Sequence, residues 1–116
     1  MYVYDSANAL AASIRNSEEF KAYKALKDEL FEDENTKGML KQYKALQFEA
    51  QAAILSGGQP EEQTMEKLQK LGEVLQFNPK VTEYFAAEYR FNTIMGDIYK
   101  IIGDACELDT GILEDA

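Results

Sequence analysis

The stretch from Asn78-Pro79 to Leu108, NPKVTEYFAAEYRFNTIMGDIYKIIGDACEL, constrains this chain more than any other. Asn78 suits an N-cap, and Pro79 suits the first helical position, where a missing N–H costs nothing. Beyond it no proline interrupts, and apolar residues recur at helical spacing. Tyr84, Phe91, Ile98 and Ala105 form one column every seven residues; Ala87, Ile94, Ile101 and Leu108 form a second. Val81, Met95 and Ile102 form a third, broken by Glu88. Three adjacent columns are wider than the two-column seam of a coiled coil, so one neighbouring helix cannot cover them. A helix of some 29 residues is roughly 43 Å long, whereas a compact chain of this size has a radius of gyration of about 13 Å. The helix should overhang its own globule, and a second copy is the simplest cover. The spacing therefore predicts a homodimer, or a higher homo-oligomer, with Tyr84, Phe91, Ile94, Met95, Ile98, Ile101 and Ile102 at the dimer or partner interface.

The remainder of the chain reads as further helices. Residues 5–15 carry the stripe Ala7, Leu10, Ala11 and Ile14, with Asp5 or Ser6 as cap. Asn16-Ser17 interrupts, and Ser17 followed by Glu18 and Glu19 starts another helix with acids in its first turn. The break is also compatible with one bent element. Phe20, Tyr23, Leu26, Leu30 and Phe31 form the second stripe, and residues 32–36 form a turn. A third helix over about 36–55 carries Met39, Leu40, Tyr43, Leu46, Ala50, Ala53 and Ile54. Ser56-Gly57-Gly58-Gln59 is a flexible stop. Pro60 is expected to open a fourth helix, with Met65, Leu68, Leu71, Val74 and Leu75 inward and a Glu66–Lys70 pair outward. No run alternates as a strand does. The expectation is all-α: an elongated helical hairpin or bundle of four to five helices with a long C-terminal helix, associating as a dimer. Residues 1–116 read as a single domain, with a break at 56–59 and a frayed tail over 109–116.

Charge and composition narrow the function. Of the net charge of −9, residues 1–58 carry seven basic and nine acidic side chains, and residues 59–116 carry five and twelve. Phosphate-led binding would have to overcome that acidic field, so direct nucleic-acid binding is disfavoured. No apolar run approaches the ~20 residues of a membrane span, and the N-terminal MYVYDSANAL lacks the character of a signal peptide. The single cysteine cannot form an internal disulfide. These features point to the cytoplasm.

Catalytic chemistry finds little support. The chain has no histidine, which removes Ser-His-Asp, Cys-His and Glu-x-x-His di-metal arrangements. Cys106, alone on the last turn, cannot assemble the roughly four ligands of a metal or cluster, and reads as a small, partly buried apolar residue. No enzyme activity, cofactor or metal is expected. Glu88 is either an edge carboxylate reaching water, a buried carboxylate with a raised pKa, or a partner across the dimer for Arg90 or a lysine. Lys37, Lys41 and Lys44 lie on one side of the third helix, with Lys21 and Lys24 on the second. They form either a solvated face or a basic patch, and the patch supports an alternative role as a nucleic-acid-contacting module.

A family resemblance joins several of these pieces. Val-Tyr-Asp-Ser-Ala-Asn-Ala-Leu, Ser-Glu-Glu-Phe, a Gly-Gly hinge after a helix, and Leu-Gln-Phe-Asn-Pro-Lys-Val followed by Tyr84, Phe85, Ala87-Glu88, Phe91, Ile94 and Asp97-Ile98 together resemble the YlbF/YmcA family of small helical bacterial proteins. The length is closest to its YheA-like branch. The resemblance implies a helical chain that self-associates through its long helices and has no known enzyme activity. Some relatives act as regulatory partners in Gram-positive bacteria. They assemble with related proteins and influence mRNA processing by the endoribonuclease RNase Y, and through it competence, sporulation and biofilm formation. Those members share a cysteine-rich extension for iron–sulfur binding; this sequence departs there, with only Cys106. The expected role is that of a regulatory adaptor acting through protein–protein contact, with related proteins or RNA-processing machinery as partners.

Overall fold

The protein was analysed as a computed structural model that describes residues 2–108, all helix and connecting turns. Five helices follow in order: α1 Tyr2–Arg15, α2 Glu18–Phe31, α3 Glu34–Leu55, α4 Glu62–Leu75 and α5 Pro79–Ala105. The tail expected to fray, 109–116, lies outside the described residues.

Local chemistry places the boundaries. Ser17 is extended (φ −71°, ψ 149°); its hydroxyl accepts from the Phe20 amide at 3.2 Å and donates to the Ile14 carbonyl at 2.6 Å. One side chain thus closes α1 and opens α2, so the two are separate helices. Gly57, at φ 89°, ends α3 in a Schellman turn: the Gly58 amide donates to the Ala53 carbonyl and the Gly57 amide to that of Ile54, both at 3.0 Å. Glu61 is extended (φ −62°, ψ 144°) and caps α4, so Pro60 precedes the helix, against the expectation that it would open it. Asn78 caps α5 as expected, its side chain accepting from the Lys80 amide at 3.0 Å, with Pro79 directly behind it.

The helices pack mainly as two pairs. α2 packs on α5 and α3 on α4, with a smaller α2–α3 contact. The core sits at one end. Leu30 from the end of α2, Leu40 near the start of α3, Leu75 closing α4, and Val81 and Tyr84 opening α5 form one buried cluster. The turns at 32–33 and 76–78 hold the helices together there. Away from that end the body is broad and thin, with extents of 48 × 37 × 19 Å and a radius of gyration of 17.2 Å. This exceeds the compact value of about 13 Å, because one end carries most of the packing.

Two expectations, one about an inward face and one about an outer pair, need correction. Met65 and Val74 are exposed, because α4 has one main neighbour and its apolar stripe is wider than the contact, and Ile54, in the last turn of α3, is exposed as well. Glu66 and Lys70 do not close to ion-pair distance, whereas Lys24 and Asp28 do, at 2.9 Å.

Candidate protein-interaction surface

Burial of the apolar side chains falls along α5 from one end to the other. Val81, Tyr84 and Ala87 are enclosed by their own chain. Phe91, Ile94, Met95 and Ile98 are half-buried. Ile101 is 67% exposed, Ile102 43% and Leu108 57%. The cause is length. α2 runs antiparallel to α5, from the Lys80–Glu29 ion pair at 3.8 Å to the Phe20–Phe91 ring contact at 5.3 Å. Its 14 residues span about 21 Å, against about 40 Å for the 27 of α5. The second half of α5 runs on past its cover.

α1 adds to the uncovered surface. None of its residues is buried, and Tyr2, Val3, Tyr4 and Leu10 are exposed. A 14-residue helix is marginal in water on its own, so an element with so little packing gains most from a partner.

Of the residues predicted for the interface, Tyr84 is committed elsewhere. It is 1% exposed and stacks on Tyr23 at 5.8 Å, while Tyr23 also stacks on Phe91 at 5.3 Å. Phe91 keeps part of its surface outward, and Ile94, Met95, Ile98, Ile101 and Ile102 continue the same broad face.

Glu88 is neither an edge carboxylate in open water nor a partner of Arg90. It pairs with Lys44 of α3 and accepts from the Tyr84 hydroxyl at 3.2 Å. The Lys44 ammonium also lies 5.5 Å from the centre of the Tyr84 ring. Burial, with the nearby Lys27 ammonium, holds Lys44 below the usual lysine range. Burial, and then the adjoining Tyr23 phenol, push Tyr84 up to about 12. This polar knot ties α3 to α5. Sequence spacing could not reveal it, because its partners are 44 residues apart.

The predicted basic patch is thinner than its spacing suggested. Lys44 is engaged by Glu88 and Lys24 by Asp28, leaving Lys41 exposed and Lys37 half-buried on α3. Cys106, read as partly buried, is exposed at the end of α5. Among the described residues no three potential ligands cluster as a metal site, and no helix is long and apolar enough to cross a membrane.

Comparison with known proteins agrees with this architecture. Residues 3–107 match the family described as control of competence regulator ComK, YlbF/YmcA. A UPF0342 protein of Caldicellulosiruptor bescii is 38% identical over 105 residues, covering 90% of this chain and 88% of that one. A UPF0342 protein of Halothermothrix orenii is 36% identical over 114 residues, covering 98% and 95%. Among solved structures, YheA from Bacillus subtilis superposes with a TM-score of 0.60 at 29% identity, over 90% of this chain and 94% of that one. The fold is also that of a chain in the crystal structure of Bacillus subtilis RicA in complex with RicF, with a TM-score of 0.57 at 21% identity over 91% and 94%. With five helices in this order and a match over nearly its whole length, the chain belongs to the YlbF/YmcA family.

Proposed function

We propose that this protein is a cytoplasmic, non-enzymatic regulatory adaptor that works as a homodimer. The observation that carries the reading is the apolar second half of α5, half-buried from Phe91 to Ile98 and exposed at Ile101 and Ile102, together with the apolar face of α1. A surface of that kind, continuous along one helix and only partly covered by its own chain, marks a protein–protein contact. The structure of RicA in complex with RicF, one chain of which has this fold, supports contact with another protein chain as a second mode. Control of RNA processing, and through it of competence, sporulation or biofilm states, is the role that the family resemblance offers.

Two measurements test this. Light scattering at micromolar concentration should give twice the chain mass, and a monomeric mass contradicts the dimer. Affinity capture should recover specific proteins whether or not nuclease is added; capture abolished by nuclease would favour the lysine-based nucleic-acid reading instead. That alternative has lost two of its cations to ion pairs with Glu88 and Asp28.

A further inference from the structure

Two hollows flank the middle of α3. One, of about 450 Å³, lies against α4, where Met65 and Leu68 face it beside Glu62 and Glu66. The other, of about 430 Å³, lies against α5 beside Phe85, Tyr89 and Asn92. Both include Tyr43 and Gln47, so they are two sides of one valley with α3 as floor. Its walls, α4 and α5, leave the shared turn at 76–78 and pack on other helices instead of on each other.

We propose that this valley seats an amphipathic helix of a partner protein that carries lysine or arginine along its flanks. The inference rests on the adaptor reading and names the chemistry of the partner. A furrow between helices accepts a third helix, whose side chains settle between the existing ridges. Tyr43, Met65, Leu68 and Phe85 supply apolar and aromatic surface. No lysine or arginine lines either hollow. The Glu88 charge is met by Lys44, whereas Glu62 and Glu66 are exposed and form no ion pair among the described residues. The valley is therefore negative at its α4 wall, which repels phosphate backbones and draws basic side chains.

A second copy of this chain is a poorer occupant. The open end of α5 carries Asp97 and Asp104, which would meet Glu62 and Glu66 with like charge. At 100° per residue, Phe85, Tyr89 and Asn92 also lie roughly opposite Ile94, Ile98 and Ile101 around α5. A helix in the valley thus leaves the proposed dimer face free.

The probe is a fluorescein-labelled amphipathic helix of leucine and lysine, with a twin in which glutamate replaces lysine, titrated against the full chain by anisotropy at physiological ionic strength. The lysine peptide should saturate, and the glutamate twin should bind at least about tenfold more weakly. The double variant Glu62→Lys/Glu66→Lys should weaken the lysine peptide about tenfold or more, while Asp97→Lys/Asp104→Lys, the same charge change elsewhere, should not. Met65→Ser, at an exposed position, should weaken both peptides without changing the circular dichroism. Equal loss from both charge variants would show attraction to the overall acidic field and overturn the proposal, as would tight binding of the glutamate twin or of a single-stranded oligonucleotide. Dimer mass and nuclease-resistant capture report on the adaptor reading separately, so either can fail alone.

Discussion

Ile101→Asp isolates the open half of α5 better than any change nearer the core. In a single copy Ile101 is 67% exposed, so the substitution removes little packing there and should leave the stability of a lone chain within about 0.5 kcal/mol. In a dimer covering this face the same side chain is enclosed. Full burial of an isoleucine is worth about 1.5–3 kcal/mol, and two-thirds of that is about 1–2 kcal/mol per copy. A two-fold interface counts the loss twice, giving about 2–4 kcal/mol, a weakening of roughly 30- to 900-fold. Desolvating the new carboxylate adds to this. Sedimentation across a concentration series should show the dimer giving way to a monomer that keeps its helical circular dichroism. A dimer that persists unchanged at low micromolar concentration would refute the placement of the interface, and a chain that unfolds outright would refute the claim that Ile101 is idle in the single copy.

Other substitutions probe the interior and the helix ends. Glu88→Gln removes the charge that meets Lys44 and should lower stability by about 1 kcal/mol in urea unfolding, modest because the Lys44 side chain is still 41% exposed. Tyr84, raised to about 12, stays neutral in the fold where an unfolded tyrosine ionises near 10; its share of stability is full below that pH and is lost as pH rises toward 12. Tyr84→Phe should therefore delete a step near pH 12 from the alkaline phenolate absorbance and flatten the stability decline above pH 10. Glu107 holds φ 55° in the turn after α5, where the Leu108 amide donates to the Gly103 carbonyl at 2.9 Å; Glu107→Gly should stabilise by about 1 kcal/mol in thermal unfolding.

Much of the fold is legible in short-range chemistry. Ser17, Gly57 and Asn78-Pro79 act through neighbours two to five residues away, and the apolar spacing identifies helices because its period does not depend on the partner. What covers each stripe is a different matter. Tyr84 and Ile101 look alike by periodicity, yet one is sealed in the core and the other open, because α2 is half the length of α5. The same limit explains Met65 and Val74, which belong to a real stripe without a second neighbour. Glu88 stood out as a break in the apolar face, which was a sound signal. Its partner is invisible in the sequence because Lys44 meets it only after the α3–α4 hairpin and the α2–α5 pair come together, and the valley between α4 and α5 is hidden for the same reason.

The order of pairing also has a kinetic consequence. α3 and α4 are joined by six residues and can zip up as a local unit. α2 and α5 must find each other with that whole hairpin looped out between them, about 47 residues from the end of one to the start of the other. Closing the larger loop carries more entropy before any contact rewards it. Refolding should therefore be timed by the meeting of Tyr23 with Tyr84 and Phe91, and changes at the α3–α4 junction, already formed when that meeting occurs, should slow folding with little effect on how fast the chain comes apart.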